Sequence, residues 1–174
     1  NKLIPSTATS VVFTDEIMPI SATLIDVDED GDRGVVAWMD GTVMKVSTQT
    51  PRKQVIAATD CQAMFKNKSN LISIDFSNLD TGNVTDMHSM FASCSGLTNL
   101  DLTSLDTQNV TNMSSMFYDC TVLTTLSIGE KFAFVGSEYN LPSGTWYSSD
   151  GTAYTSNGKS CTIPNNKADT YTRR

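Results

Sequence analysis

The dipeptide Met-Phe occurs at residues 64–65, 90–91 and 116–117, a spacing of 26 residues each time. The same spacing relates Leu71, Leu97 and Leu123, then Ile74, Leu100 and Leu126, then Phe76, Leu102 and Ile128. It also relates Asn83-Val84-Thr85 to Asn109-Val110-Thr111, Met87 to Met113, and Cys94 to Cys120. A chain with such a period reuses one supersecondary unit. No single unit of this size can bury its apolar side alone, so neighbouring units must stack.

Inside a unit the hydrophobic period changes. Leu97-x-x-Leu100-x-Leu102 ends in alternation, the mark of a short strand with apolar side chains inward. Met113, Met116, Phe117 and Cys120 then fall at i, i+3, i+4 and i+7, which reads as one face of a short helix. Thr111 or Asn109 would cap its start, as Thr85 or Asn83 would one unit earlier. The expected unit is therefore a strand, a turn and a helical turn. Its strands should be parallel and paired in order, with a right-handed coil by the usual crossover rule.

Three regions are expected. Residues 1–60 lack the period and read as a β-rich N-terminal cap. Ser10 to Thr14 looks like a strand, and Asp40-Gly41 is a hairpin turn signal between two more. Residues 61–128 carry the repeating units. Residues 129–174 read as a C-terminal β cap, with turn signals at Asp150-Gly151 and Asn157-Gly158 and a loose tail after Pro164.

Composition narrows the partners. The 174 residues carry a formal net charge of -7, against nucleic-acid binding, which needs clustered Lys and Arg. No run of about 18 apolar residues is present, so nothing in the sequence reads as a membrane span. The abrupt start at Asn1 and end at Arg174 suggest an excised or mature fragment of a longer exported protein. Cys61, Cys94, Cys120 and Cys161 form no CxxC pair, and four cysteines in 174 residues are too sparse for a disulfide scaffold. Cys94 and Cys120 should stack as buried thiols, or join only if their Cβ atoms come to about 4 Å.

Candidate sites fall into four groups. Asp26, Asp28 and Asp30, followed by Gly31, resemble the start of an EF-hand calcium loop. The loop's twelfth position would be Ala37 and not the bidentate Glu, and a solvated acidic hairpin is the competing reading. Asp75 and Asp101 occupy equivalent strand positions and would be neighbours in a stack. They share the open strand face with Ser73, Asn99 and Thr125; the variable positions that would carry specificity are those three, with His88, Ser89, Ser114 and Ser115 on the helical turns. Trp146 and Tyr147, with Tyr154, are the aromatic anchors available outside the repeats. Catalysis has no support: His88 is the sole histidine, and no Ser or Cys has a base at a justified spacing. No cofactor is implied.

The segments Val84-Thr85-Asp86-Met87-x-x-Met90-Phe91-x-x-Cys94-x-x-Leu97 and Val110-Thr111-Asn112-Met113-x-x-Met116-Phe117-x-x-Cys120-x-x-Leu123 resemble the BspA-like leucine-rich repeats of bacterial surface proteins, the DUF285 class. Val35 to Thr42 and Lys45 to Gln49 resemble the leader of such proteins. The first repeat departs from the pattern, with Cys61 where Met87 stands and Lys68 where Cys94 stands. The resemblance implies an α+β fold: a short right-handed leucine-rich-repeat solenoid, parallel strands plus short helices, with β-rich caps at both ends. It implies a non-enzymatic bacterial module, cell-surface or secreted, for adhesion or host contact. The partner would be a host-surface protein, an extracellular-matrix protein or a glycan. A structural spacer of a longer stalk, or a carbohydrate-binding module, are the alternatives.

Overall fold

In the computed structural model residues 3–27 and 34–174 are described. The first sheet gathers β2 (Ile25–Asp26), β3 (Val36–Asp40), β4 (Val43–Ser47), β1 (Ser10–Thr14) and β6 (Ser73–Asp75), in that order. β3 and β4 are antiparallel, with Asp40 opposite Val43. The two residues between them are Gly41-Thr42, and Gly41 takes the left-handed conformation, φ 59°, that such a tight hairpin demands. β1 runs parallel to both β4 and β6. A small sheet pairs β5 (Val55–Ile56) with β7 (Leu79–Asp80), in parallel.

The last sheet contains β8 (Asn99–Leu102), β9 (Thr125–Ile128), β10 (Gly144–Tyr147), β11 (Ala153–Ser156) and β12 (Asp169–Arg173). Its order is β11-β10-β12-β9-β8. β8 and β9 are parallel, with Leu100 opposite Leu126. β12 enters antiparallel between β9 and β10. The residues after Pro164 are therefore no loose tail: Tyr171 is fully buried in the middle of a sheet.

The α+β expectation is overturned. Among the described residues there is no helix, and all regular structure is strand. Nor do the repeat strands make the expected solenoid ladder. β8 and β9 pair, but β6 pairs with β1 and lies in a different sheet.

The segment read as a helix has a definite alternative structure. Met90, Ala92 and Cys94 donate their N–H groups to the carbonyls of Met87, Ser89 and Phe91, three residues back. Met87, Ser89, Phe91 and Ser93 donate instead across to Asn112, Ser114, Met116 and Tyr118 of the next repeat. An α-helix needs each N–H directed to the carbonyl four residues back. Here every second donor is used between repeats. Ser89 and Ser93 adopt positive φ, 54° and 58°, as do Ala63 and Asn67 before them and Ser115 and Asp119 after. The chain is thus a run of tight turns every four residues. That spacing buries Met87, Met90, Phe91 and Cys94, the set a helix face would bury.

Polar side chains serve the same turns. The carboxylates of Asp60 and Asp86 and the amide oxygen of Asn112 each accept the N–H two residues on. Such Asx turns favour tight reversal over helix. The three residues also form parallel bridges to one another. Asn109 donates its amide to the Gly82 carbonyl of the preceding repeat. At Gly96 an added Cβ would sit 2.5 Å from the carbonyl oxygens of Ser69 and Leu71, so only glycine permits this approach of two backbones.

The core runs through the stack. All nine residues singled out for the strands, Leu71, Ile74, Phe76, Leu97, Leu100, Leu102, Leu123, Leu126 and Ile128, are buried, although Leu71, Phe76, Leu97 and Leu123 fall just outside the strands themselves. Phe65 stacks on Phe91 at 5.7 Å, and Phe91 on Phe117 at 6.0 Å. Phe117 then meets Phe134 edge-on, and Phe134 stacks on Tyr139 at 4.7 Å, which carries the spine into the C-terminal region.

Candidate binding surface

The strand face is polar and outward. Ser73, Asp75, Asn99 and Asp101 are exposed, and Thr125 is half-buried. Register places Asn99 opposite Thr125, and Asp101 opposite Ser127. Ser73 donates its hydroxyl to that of Ser10 at 2.9 Å. Asp75 and Asp101 behave alike: each accepts the N–H two residues on, from Ser77 and Thr103, at 2.9 Å. Thr103 adds its hydroxyl to Asp101 at 2.6 Å. These local turns stabilise the carboxylates, and among the described residues no group of His, Cys, Asp or Glu is arranged to hold a metal ion. The face divides between two sheets, Ser73 and Asp75 in the first and the others in the last.

The acidic segment proposed as a calcium loop is described only in part. Asp26 ends β2, and Asp28 and Asp30 lie outside the described residues.

The aromatic anchors are redistributed. Trp146 is fully buried, with its indole N–H donated to the Pro142 carbonyl at 3.1 Å and the Arg173 guanidinium over its ring at 5.8 Å. It cannot stack on a ligand. Tyr147 and Tyr154 are half-buried; Arg174 lies over the Tyr147 ring at 5.3 Å, and Tyr154 packs edge-on against Tyr171. The large exposed aromatic is Tyr118, at 58%. Sequence reasoning passed over it. The signal was its repeat position, which holds Lys66, then Ala92, then Tyr118.

His88 joins a closed network. Its Nδ1 lies 2.8 Å from the Ser114 hydroxyl, which donates to the Asn112 amide oxygen at 2.7 Å. Asn112 donates to Asp86 at 3.0 Å, and Asp86 accepts the His88 N–H at 2.7 Å. With the Ser114 proton directed to Asn112, Nδ1 carries a proton and Nε2 accepts from Ser89, 3.1 Å away. Ser89 is only 4% exposed, so this Ser–His pair offers no hydroxyl to a substrate. The network ties two repeats together.

Two concavities stand out. One, of about 650 Å³, lies under the N-terminal sheet, walled by Phe13, Met44, Val46, Val55, Met64 and Phe65. Among the described residues no polar or charged side chain lines it to orient a ligand. The other, of about 360 Å³, lies where the last repeat meets the C-terminal sheet, with Tyr118, Asp119, Asn140 and Arg173 in its walls. It mixes an exposed ring with both signs of charge.

Strand-only repeats, a polar outward face and a mixed groove define a β-structured repeat domain with displayed surfaces. Residues 39–132, more than half of the 174, match the family described as Mycoplasma protein of unknown function, DUF285, and the chain belongs to that family. No curated protein and no solved structure matches the chain. Among the described residues no helix is long and apolar enough to cross a membrane.

Proposed function

We propose that this chain is a non-enzymatic interaction module of an exported bacterial protein, of the BspA-like leucine-rich-repeat kind, working in adhesion or host contact. The observation that carries the reading is the division of labour along the repeat. Apolar residues that recur every 26 positions, such as Leu71, Leu97 and Leu123, are buried, whereas the strand position that varies, Ser73, Asn99 and Thr125, is polar and turned outward beside the exposed Asp75 and Asp101. Outward polar positions on a rigid stack can vary without cost to the core, which suits recognition. The locked His88–Ser89 pair is in keeping with a chain that binds and does not turn over a substrate.

The test is direct binding of the purified chain to immobilised host-cell surface extracts, extracellular-matrix proteins and glycans. Saturable binding to any of the three is expected, and its absence from all three removes the reading.

A spacer in a longer stalk is the second reading. One observation favours it: the repeat strands β6, β8 and β9 present no aromatic side chain, Tyr147, in register with Thr172 and Thr125, is half-buried under Arg174, and Trp146 is withdrawn into the core. Interface energy concentrates on Trp, Tyr and Arg. The two readings part at Tyr118, the remaining exposed aromatic beside a concavity.

A further inference from the structure

We propose that the groove beside Tyr118 is a subsite for a neutral glycan, a reading that rests on the chain being an interaction module. The groove exists because of how the last repeat is covered. Ser115 and Phe117 donate their N–H groups to the carbonyls of Glu138 and Tyr139, which take the place of a further repeat. At Asn140 the chain turns away, with φ 58°. Asp119, next in the alternation, finds no acceptor for its N–H among the described residues, whereas its counterpart Ser93 donates to Tyr118. The covering segment stops one bond short, and a cavity of about 360 Å³ opens there.

The groups around this opening form a mixed set. Tyr118 presents a ring 58% exposed. Asp119 offers the unpaired N–H and an exposed carboxylate. Asn140 directs its amide nitrogen to the Gly158 carbonyl at 3.1 Å, which leaves the amide oxygen as an acceptor. Thr121 adds an exposed hydroxyl. Arg173 is held by bonds to the carbonyls of Thr121, at 2.7 Å, and Ser143, at 3.3 Å, and by its seat over Trp146. A guanidinium has five N–H donors, so this anchored one retains donors for a ligand.

Donors and acceptors share the walls of this concavity with one exposed aromatic ring. A sugar ring asks for that combination: hydroxyls that both give and accept hydrogen bonds, and a C–H face to lie on an aromatic. One carboxylate and one guanidinium cancel, so the site favours a neutral glycan over a sialylated or phosphorylated one. A peptide fits less well. Strand addition needs a row of unpaired backbone groups, and Asp119 supplies a single N–H.

The test uses the intact chain on an array of neutral, sialylated and sulfated oligosaccharides, followed by titration of the tightest binder against wild type, Tyr118→Ala and Asp119→Asn. Tyr118 is exposed and Asn tolerates positive φ, so both variants should fold, as thermal melts would verify. The proposal expects binding to neutral oligosaccharides, reduced at least about tenfold by Tyr118→Ala, the loss typical of an aromatic hot spot. Binding only to acidic glycans, or an undiminished Tyr118→Ala, overturns it. Binding to host-cell protein without any glycan binding overturns the subsite and leaves the interaction module standing. Failure on every surface removes both.

Discussion

The thiol of Cys120 donates to the carbonyl oxygen of Phe91, one repeat earlier, at 3.1 Å. Cys94 makes the same bond to Phe65 at 3.0 Å. Both cysteines are buried and free. Each acts as a small apolar filler whose weak S–H donor is satisfied by the neighbouring turn. Burial pushes their ionisation up, to about 11 for Cys94 and about 12 for Cys120, and that of Cys61 to about 12.

Those shifts predict alkaline sensitivity. The folded state holds the thiol protons more tightly than the unfolded chain, whose thiols ionise near the ordinary value of 9.0. The contribution is complete below pH 9 and is lost as the pH rises towards 12. Urea denaturation midpoints should therefore fall steadily above pH 9, and Cys120→Ala should flatten the fall. In native protein at pH 8 a thiol reagent should reach the half-buried Cys161 first, and a burst of four equal thiols would contradict the buried ladder.

Leu100→Ala should cost about 2–5 kcal/mol, the usual range for truncating a buried leucine. Leu100 is 3% exposed and sits opposite Leu126 in the parallel pair. Chemical denaturation measures it, and a loss under about 1 kcal/mol would place the residue outside the core.

Asn112→Asp should destabilise the chain by about 1–2 kcal/mol at pH 7. It removes the amide bond to Asp86 and extends the Asp60–Asp86 column to three carboxylates. Salt screens such repulsion, so the difference from wild type should shrink as the ionic strength rises from about 0.01 M to about 1 M. A penalty unchanged across that range would show that charge is not its cause.

Tyr171 and Trp146 should respond in opposite ways. The buried Tyr171 hydroxyl has no hydrogen-bond partner within the described protein, so Tyr171→Phe should be neutral or stabilising by up to about 1 kcal/mol. Trp146→Ala should cost about 3–5 kcal/mol, because it empties a fully buried site beneath Arg173. Thermal melts compare the two. Retained stability in Trp146→Ala would mean the indole is not core.

Much of the apolar layout was legible and some of the backbone was not, for one reason. Periodicity reports which side chains are inward, and the nine residues singled out for the strands are inward. It does not report where N–H groups go. Turns with left-handed residues at Ser89 and Ser93 give the burial spacing of a helix without its hydrogen bonds. Of the six left-handed turn positions in the repeats, 67, 89, 93, 115 and 119 hold short polar residues and only 63 holds an alanine, and those five were the available warning. β12 was missed because Thr170-Tyr171-Thr172 has one apolar residue, too few for an alternation. The groove depends on where a covering segment departs, at Asn140, and no local pattern encodes that.

The alternation of donors along residues 87–93 has an electrical consequence. The four N–H groups that cross between repeats all point towards the C-terminal sheet, and the carbonyls that receive them point back. Peptide dipoles of about 3.5 D each therefore add along this flank, as they do along a helix axis. This flank carries a polarity of its own, positive beside Asp119 and negative beside Cys61, while the bonds from Thr85 to Thr59 and from Thr111 to Thr85 run the opposite way elsewhere in the stack. Copies crowded on one surface would repel flank to flank when oriented alike and attract when inverted, so backbone polarity itself would bias how a layer of these domains is arranged.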